Sequence, residues 1–380
     1  MKYSPATARG RSTEIDGLRA ISVLVVVFGH SGLSVISASS GVTFFFVISG
    51  YVITLTLLTE FCINSDFSIK RFFLRRFFKL FPPLVGIILL PSIILFRELD
   101  LSLKALISQI FFYFNWVTIY SPELTVLPGS GVTWSLSVEE QFYISIALCW
   151  LAIVKISKIH ATRLLVSLYS VIYIYSTISR VVIHFTQDVL RDEFGESPRI
   201  MRGLDSRMSA IALGGLIAIF IYHQKGKSSF YVNILCRWQF MLFFSIFLYI
   251  ISYVPTSFVR DTFQFNLREL SIGVVIINVT LRTQKASFSF FDLLNWKFFQ
   301  VIGICSYSIY LSHVVLIRIL DEVGLVNFGL LKIDLVNSII KIILSVIFGI
   351  ICHVAFDAPF ESKRQKFRTY QNASSKFLEK

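Results

Sequence analysis

Eleven apolar stretches, each long enough or nearly long enough to cross a bilayer, follow one another along this chain. They lie near 20–37, 41–61, 80–96, 104–121, 134–154, 163–184, 205–222, 238–254, 266–281, 298–318 and 333–355. A soluble core built from 380 residues could not hide so much apolar surface, with 55% hydrophobic residues and a mean hydropathy of +0.71. Lipid has to solvate the excess, so the expected fold class is an all-α integral membrane bundle.

Charge supports that class. Only 16% of residues are charged, and Lys and Arg outnumber Asp and Glu by 36 to 23, so the net +13 is confined to short loops and tails. The positive charge alternates with apolar segments and forms no single face, which argues against a nucleic-acid partner. The 38 Phe residues suit surface in contact with membrane lipids. Cys62, Cys149, Cys236, Cys305 and Cys352 stand singly in or beside apolar segments and read as small apolar residues. No P-loop, GxGxxG, HExxH or GxSxG occurs, and no grouping has metal-ligand spacing.

Loops rich in Lys and Arg share the cytoplasmic side, which tests how many segments cross. The N-terminus carries Lys2, Arg9, Arg11 and Arg19, and the loop before the third segment carries Lys70, Arg71, Arg75, Arg76 and Lys79, so both are placed inside. With all eleven segments crossing, three basic groups would fall outside: Lys155, Lys158 and Arg163; Lys225 and Lys227; and Lys363, Arg364, Lys366 and Arg368. Withholding the crossing of 104–121, which holds Gln109, Asn115 and Trp116, returns all three inside together with Arg282, Lys285 and Lys297. The expectation is about ten transmembrane helices plus one re-entrant or interfacial segment, with both termini cytoplasmic. Residues 1–13 then form an N-terminal tail, 14–361 the membrane domain and 362–380 a basic tail. The outer loop 185–204 (Asp188, Arg191, Asp192, Glu193, Glu196, Arg199) is either a plain solvated loop or a surface that meets an acceptor. The basic leader, the run Ala20 to Phe28 and Ser37 to Ser40 could also be read as a cleaved signal peptide, which would remove His30. No internal repeat is evident.

Ionisable residues inside spans are costly and mark candidate sites. Arg19 and His30 are eleven residues apart, about three helical turns and so nearly one face, roughly 16 Å along the axis. Asp16 lies one turn before Arg19, where the two can pair. An imidazole reaches either protonation state near neutral pH, which suits a base, although a structural His bonded to a neighbouring helix is the plainer reading. The stretch KRFFLRRFFKLFPP (Lys70 to Pro83) places cations among aromatics on a surface helix, serving either as a membrane anchor or as a phosphate site. In WSLSVEEQFY (Trp134 to Tyr143), Glu139 and Glu140 point about 100° apart, and either a functional carboxylate or a first turn capped by Ser135 or Ser137 would explain them. Arg207 and His313 are further candidates towards the outer half, Asp357 and Glu361 flank Pro359, and His160, His184, His223 and His353 sit near helix ends.

Four segments together resemble the membrane-bound acyltransferase-3 family: EIDGLRAISVLVVVFGHSG, GVTFFFVISGYVI at 41–53, WSLSVEEQFY, and SYSIYLSH at 306–313. Their order covers residues 14 to 361. The resemblance implies that Arg19 and His30 are needed for activity, with His30 the catalytic base. Asp16 supports them, and Glu140 matches a required carboxylate. It also implies that Arg76 and Lys79, flanked by Arg71 and Arg75, bind acetyl-CoA. Trp134, Glu139, Arg207 and His313 would serve the acceptor or support the site. Lys79 stands where Arg is usual, and Asp357 stands where Glu often precedes the closing Pro, which leaves Asp357 a structural role. The SGNH domain fused to some relatives is not found in this sequence. The implied reaction carries acetyl from cytoplasmic acetyl-CoA, whose arm is on the order of 15 to 20 Å long, along the rise from Arg19 to His30. The acceptor is a hydroxyl of a surface polysaccharide, lipopolysaccharide or lipid-linked glycan at the cytoplasmic (inner) membrane. Direct transfer and a covalent acyl-His intermediate both remain open. A transporter or flippase of a lipid-linked sugar, or a silent sensor of the same fold, are the alternatives.

Overall fold

The apolar runs fold as helices, and no strand occurs among the described residues. The computed structural model describes residues 12–33, 37–64, 67–186, 197–224, 238–251, 256–281, 290–324 and 334–367. Among the positions singled out above, Lys2, Arg9, Arg11, Asp188, Arg191, Asp192, Glu193, Glu196, Lys225, Lys227, Cys236, Arg282, Lys285 and Arg368 lie outside them.

Helix α1 (Thr13–His30) starts on Ser12, whose Oγ accepts from the Ile15 amide, and carries Glu14 and Asp16 in its first turn. It therefore begins before the expected span and stops at His30, where Gly32 takes a left-handed φ of 92°. Helix α2 (Ala38–Asn64) follows, then α3 (Ile69–Leu84). Pro82 and Pro83 withdraw two backbone donors near the end of α3. The chain then passes through a π-type turn at Val85–Leu89 into α4 (Leu90–Ile94).

Segment 104–121 breaks into α5 (Leu103–Ile110) and α6 (Phe114–Tyr120) at Phe112, whose φ is 55°. Each piece is only about 12 Å long or less, well short of a bilayer core. Its polar groups are met by protein: Gln109 donates to Ser130 Oγ (3.0 Å) and Thr133 Oγ1 (3.1 Å), Asn115 to the Arg202 carbonyl (3.1 Å), and Trp116 to Gln141 Oε1 (3.2 Å). Such cover is what irregular backbone needs at membrane depth.

The remaining helices are α7 (Trp134–Ile156), α8 (Ala161–Thr186), α9 (Pro198–Arg202), α10 (Leu204–Gln224), α11 (Trp238–Ile251), α12 (Ser257–Asp261), α13 (Phe263–Leu281), α14 (Lys297–Val323), α15 (Asp334–Cys352) and α16 (Glu361–Lys366). Among the described residues, seven helical stretches are long and apolar enough to cross a membrane. They are Ala38–Ile63, Ile69–Ile94, Ser130–Ile156, Ala161–Thr186, Leu204–Gln224, Lys297–Val323 and Leu335–Lys366. The other three expected spans are also helical, as α1, α11 and α13, but α1 carries Glu14, Asp16 and Arg19, and α13 carries Arg268 and Glu269. The protein is a multi-pass membrane protein.

Helix α1 packs between α2 and α14, and α2 lies along α10. These crossings are close because glycines face the neighbouring backbone. A Cβ on Gly303 would sit 1.9 Å from the Asp16 carbonyl oxygen, and one on Gly214 would sit 2.0 Å from that of Val47.

Candidate active site

Helix α1 carries Arg19 in its N-terminal half and His30 at its C-terminal end. At the His30 end, α14 presents the completely buried His313, whose Nε2 lies 3.0 Å from His30 Nδ1, with ring centroids 5.1 Å apart. His30 itself keeps open surface. His313 Nδ1 lies 2.7 Å from the carbonyl of Tyr310, and the Tyr310 hydroxyl reaches Ser135 Oγ (2.7 Å) and the Val132 carbonyl (3.1 Å). This ties α14 to the start of α7, beside Trp134, which meets Phe46 edge-on at 6.2 Å. Ser135 and Ser137 are not caps. A 3-10 turn (Ser130–Thr133) leads directly into α7, and the two hydroxyls donate to the carbonyls of Val132 and Thr133.

The Arg19 end is dense in charge. Arg76 on α3 bonds Glu140 through Nε (3.0 Å) and Nη2, and lies 3.6 Å from the centre of the Tyr143 ring. Lys79 bonds Asp357 at 2.6 Å, and Asp357 also takes His353 (2.9 Å) and Arg364 (2.6 Å). Glu139 turns the other way and accepts from Ser49 Oγ at 3.0 Å. Arg75 pairs with Glu60 at 2.7 Å, while Arg71 stays 41% exposed and 3.6 Å from the same carboxylate. Arg75, Arg76 and Lys79 are thus each held by a carboxylate, and Glu140 closes on Arg76, not on His30.

Arg19 differs from them. Among the described residues it makes no ion pair or hydrogen bond, although its charge is felt by both Lys79 and Glu139. The i,i+3 geometry with Asp16 is not used. Asp16 is buried where α14 crosses α1.

A protein-family model described as an acyltransferase domain matches residues 12–357. The chain belongs to that acyltransferase family. It is 30% identical over 226 residues to an O-acetyltransferase, OatA, of Staphylococcus aureus (strain NCTC 8325 / PS 47), covering 57% of this chain and 35% of the relative. It is 27% identical over 351 residues to a peptidoglycan O-acetyltransferase, OatA, of Listeria monocytogenes serovar 1/2a, covering 85% of this chain and 52% of the relative. The chain therefore spans between about a third and about half of these two relatives. No solved structure matches it.

The chain has a second buried polar cluster that sequence reasoning caught only at Arg207. Arg207, fully buried, donates to Thr43 Oγ1 (2.9 Å) and lies 5.3 Å and 4.7 Å from the centres of the Phe46 and Phe265 rings. Arg180 on α8 donates to the Thr262 carbonyl (3.1 Å), Ser209 Oγ (2.9 Å) and Asn266 Oδ1 (2.7 Å). Ser209 in turn donates to Glu269 (2.7 Å), and Arg268 donates to Ser39 Oγ (3.2 Å). Arg180, Arg268 and Glu269 fall within or beside predicted spans, so the rule that flagged His30 also applied to them.

Proposed function

We propose that this acyltransferase carries an acetyl group from acetyl-CoA to a hydroxyl of a surface carbohydrate, with His30 as general base and Arg19 as the cation that meets the donor. The observation that carries this reading is an imidazole with open surface and, about three turns down the same helix, a guanidinium with no ion pair among the described residues. A group held by its own carboxylate is already spent, whereas Arg19 is available to an incoming phosphate or thioester oxygen. Arg75, Arg76 and Lys79 then shape the charged surroundings of the Arg19 end, and the more exposed Arg71 lies beside Arg75 at the same carboxylate. His30 takes the proton of the acceptor hydroxyl as the oxygen attacks the thioester carbon. The carbon–sulfur bond breaks, and the thiolate leaves with the proton returned by His30.

The O-acetyltransferase names of the relatives support acetyl as the group moved, and the Listeria relative makes peptidoglycan the first acceptor to test. A donor entering from the cytoplasm requires the Arg19 end to face inward, in keeping with ten crossings and both termini cytoplasmic at the inner membrane. Mass spectrometry of surface glycans from cells carrying the parent gene, His30→Ala or no gene tests the reading. The acetyl increment is expected with the parent alone, and its full persistence in His30→Ala at normal expression sinks the assignment.

A further inference from the structure

We infer that His313 is a positioning residue that holds His30 in the tautomer whose Nε2 is bare, so that Nε2 rather than Nδ1 takes the acceptor's proton. The inference rests on reading His30 as the base.

A chain of hydrogen bonds with a fixed direction carries it. His313 Nδ1 lies 2.7 Å from the Tyr310 carbonyl and 3.2 Å from that of Ile309. A carbonyl can only accept, so Nδ1 bears the proton. With both rings neutral, as a base requires, His313 Nε2 is then a lone pair. That lone pair faces His30 Nδ1 at 3.0 Å, and two lone pairs cannot bond, so His30 Nδ1 is the donor. His30 is left with its lone pair on Nε2.

His313 is well placed to enforce this order. Its ring is completely buried, it packs 5.7 Å from the ring of Tyr310, and the Tyr310 hydroxyl is itself anchored across to α7. No carboxylate hydrogen-bonds either imidazole among the described residues. When the acceptor's O–H proton moves to Nε2 and the new carbon–oxygen bond forms, His30 becomes an imidazolium. Its Nδ1–H bond to His313 then becomes charge-assisted and shorter. As the carbon–sulfur bond breaks, the same Nε2 proton leaves with the thiolate and the neutral pair is restored. A neutral imidazole thus does the orienting that a carboxylate does in a Ser-His-Asp triad, without bringing another charge into the membrane.

The test uses full-length protein in membrane vesicles, following radiolabelled acetyl from acetyl-CoA into vesicle glycan. In His313→Leu, similar in bulk but without a lone pair, the maximal rate per folded protein is expected to fall about a hundredfold while the KM for acetyl-CoA holds within about twofold. His313→Gln, whose Oε1 can accept the same hydrogen, is expected to stay within about threefold of the parent rate. Parent-like activity in His313→Leu overturns the inference, as does an equal loss in both folded variants, which would mean that an acceptor at this position is not what the rate depends on. Nitrogen NMR of histidine-labelled parent protein is independent of how the variants fold. It should show His30 protonated at Nδ1 and bare at Nε2, and the opposite tautomer also overturns the inference. A His30→Ala variant separates the two readings. If it is active, the base assignment fails; if it is dead while His313→Leu is active, only the role of His313 fails.

Discussion

Arg76 on α3 and Glu140 on α7 grip each other through two guanidinium nitrogens, with the ring of Tyr143 stacked 3.6 Å from the guanidinium carbon. The aromatic, basic helix and the WSLSVEEQFY motif, 64 residues apart at this contact, are therefore one structural unit. Removing either partner strands a buried charge. Arg76→Ala and Glu140→Ala should each cost about 3 kcal/mol in unfolding measurements on detergent-solubilised protein. The double substitution should cost clearly less than the sum, and strict additivity would show that the two groups do not depend on each other.

Arg19 should behave oppositely. Because it makes no ion pair among the described residues, Arg19→Gln is expected to leave stability within about 0.5 kcal/mol of the parent. Its kcat/KM for acetyl-CoA should fall about tenfold or more, roughly 1.4 kcal/mol of lost transition-state binding. Loss of fold and activity together would instead make Arg19 a structural residue.

Asp357 gathers Lys79, His353 and Arg364 around one completely buried carboxylate. Asp357→Asn should destabilise by about 3 kcal/mol, since it leaves the cations around it short of charge. Glu361→Gln, which weakens a 30% exposed partner of Arg364, should cost under about 1 kcal/mol. Equal thermal midpoints for the two variants would contradict the arrangement around Asp357.

The topology can be read with two cysteines placed at either end of α7, in a background without native cysteines. Glu123 and Lys158 are both exposed. Glu123→Cys should react with an impermeant maleimide in intact cells, and Lys158→Cys only after permeabilisation. The reverse pattern would place the Arg19 end on the outer side, away from a cytoplasmic donor.

Several features of the fold were legible without a structure because they depend on neighbouring residues alone. Long apolar runs specify helices, and the basic loops singled out 104–121, which folds as two short pieces. The eleven-residue spacing put Arg19 and His30 on nearly one face of a single helix. Even local rules had limits: Asp16 and Arg19 stand at pairing distance in sequence, yet Asp16 is buried at the crossing with α14 and Arg19 makes no ion pair among the described residues.

Hydropathy and periodicity, both properties of short windows, were enough for the sequence alone to determine which segments become helices and which residues share a face. Tertiary structure alone decided who meets whom: His30 with His313, Arg76 with Glu140, Lys79 with Asp357, and Arg180 and Glu269 joined through Ser209. Those pairings depend on which helix faces come together and how closely. That in turn is set by backbone approaches such as Gly303 against Asp16 and Gly214 against Val47, contacts between residues too far apart in the chain for any local pattern to record.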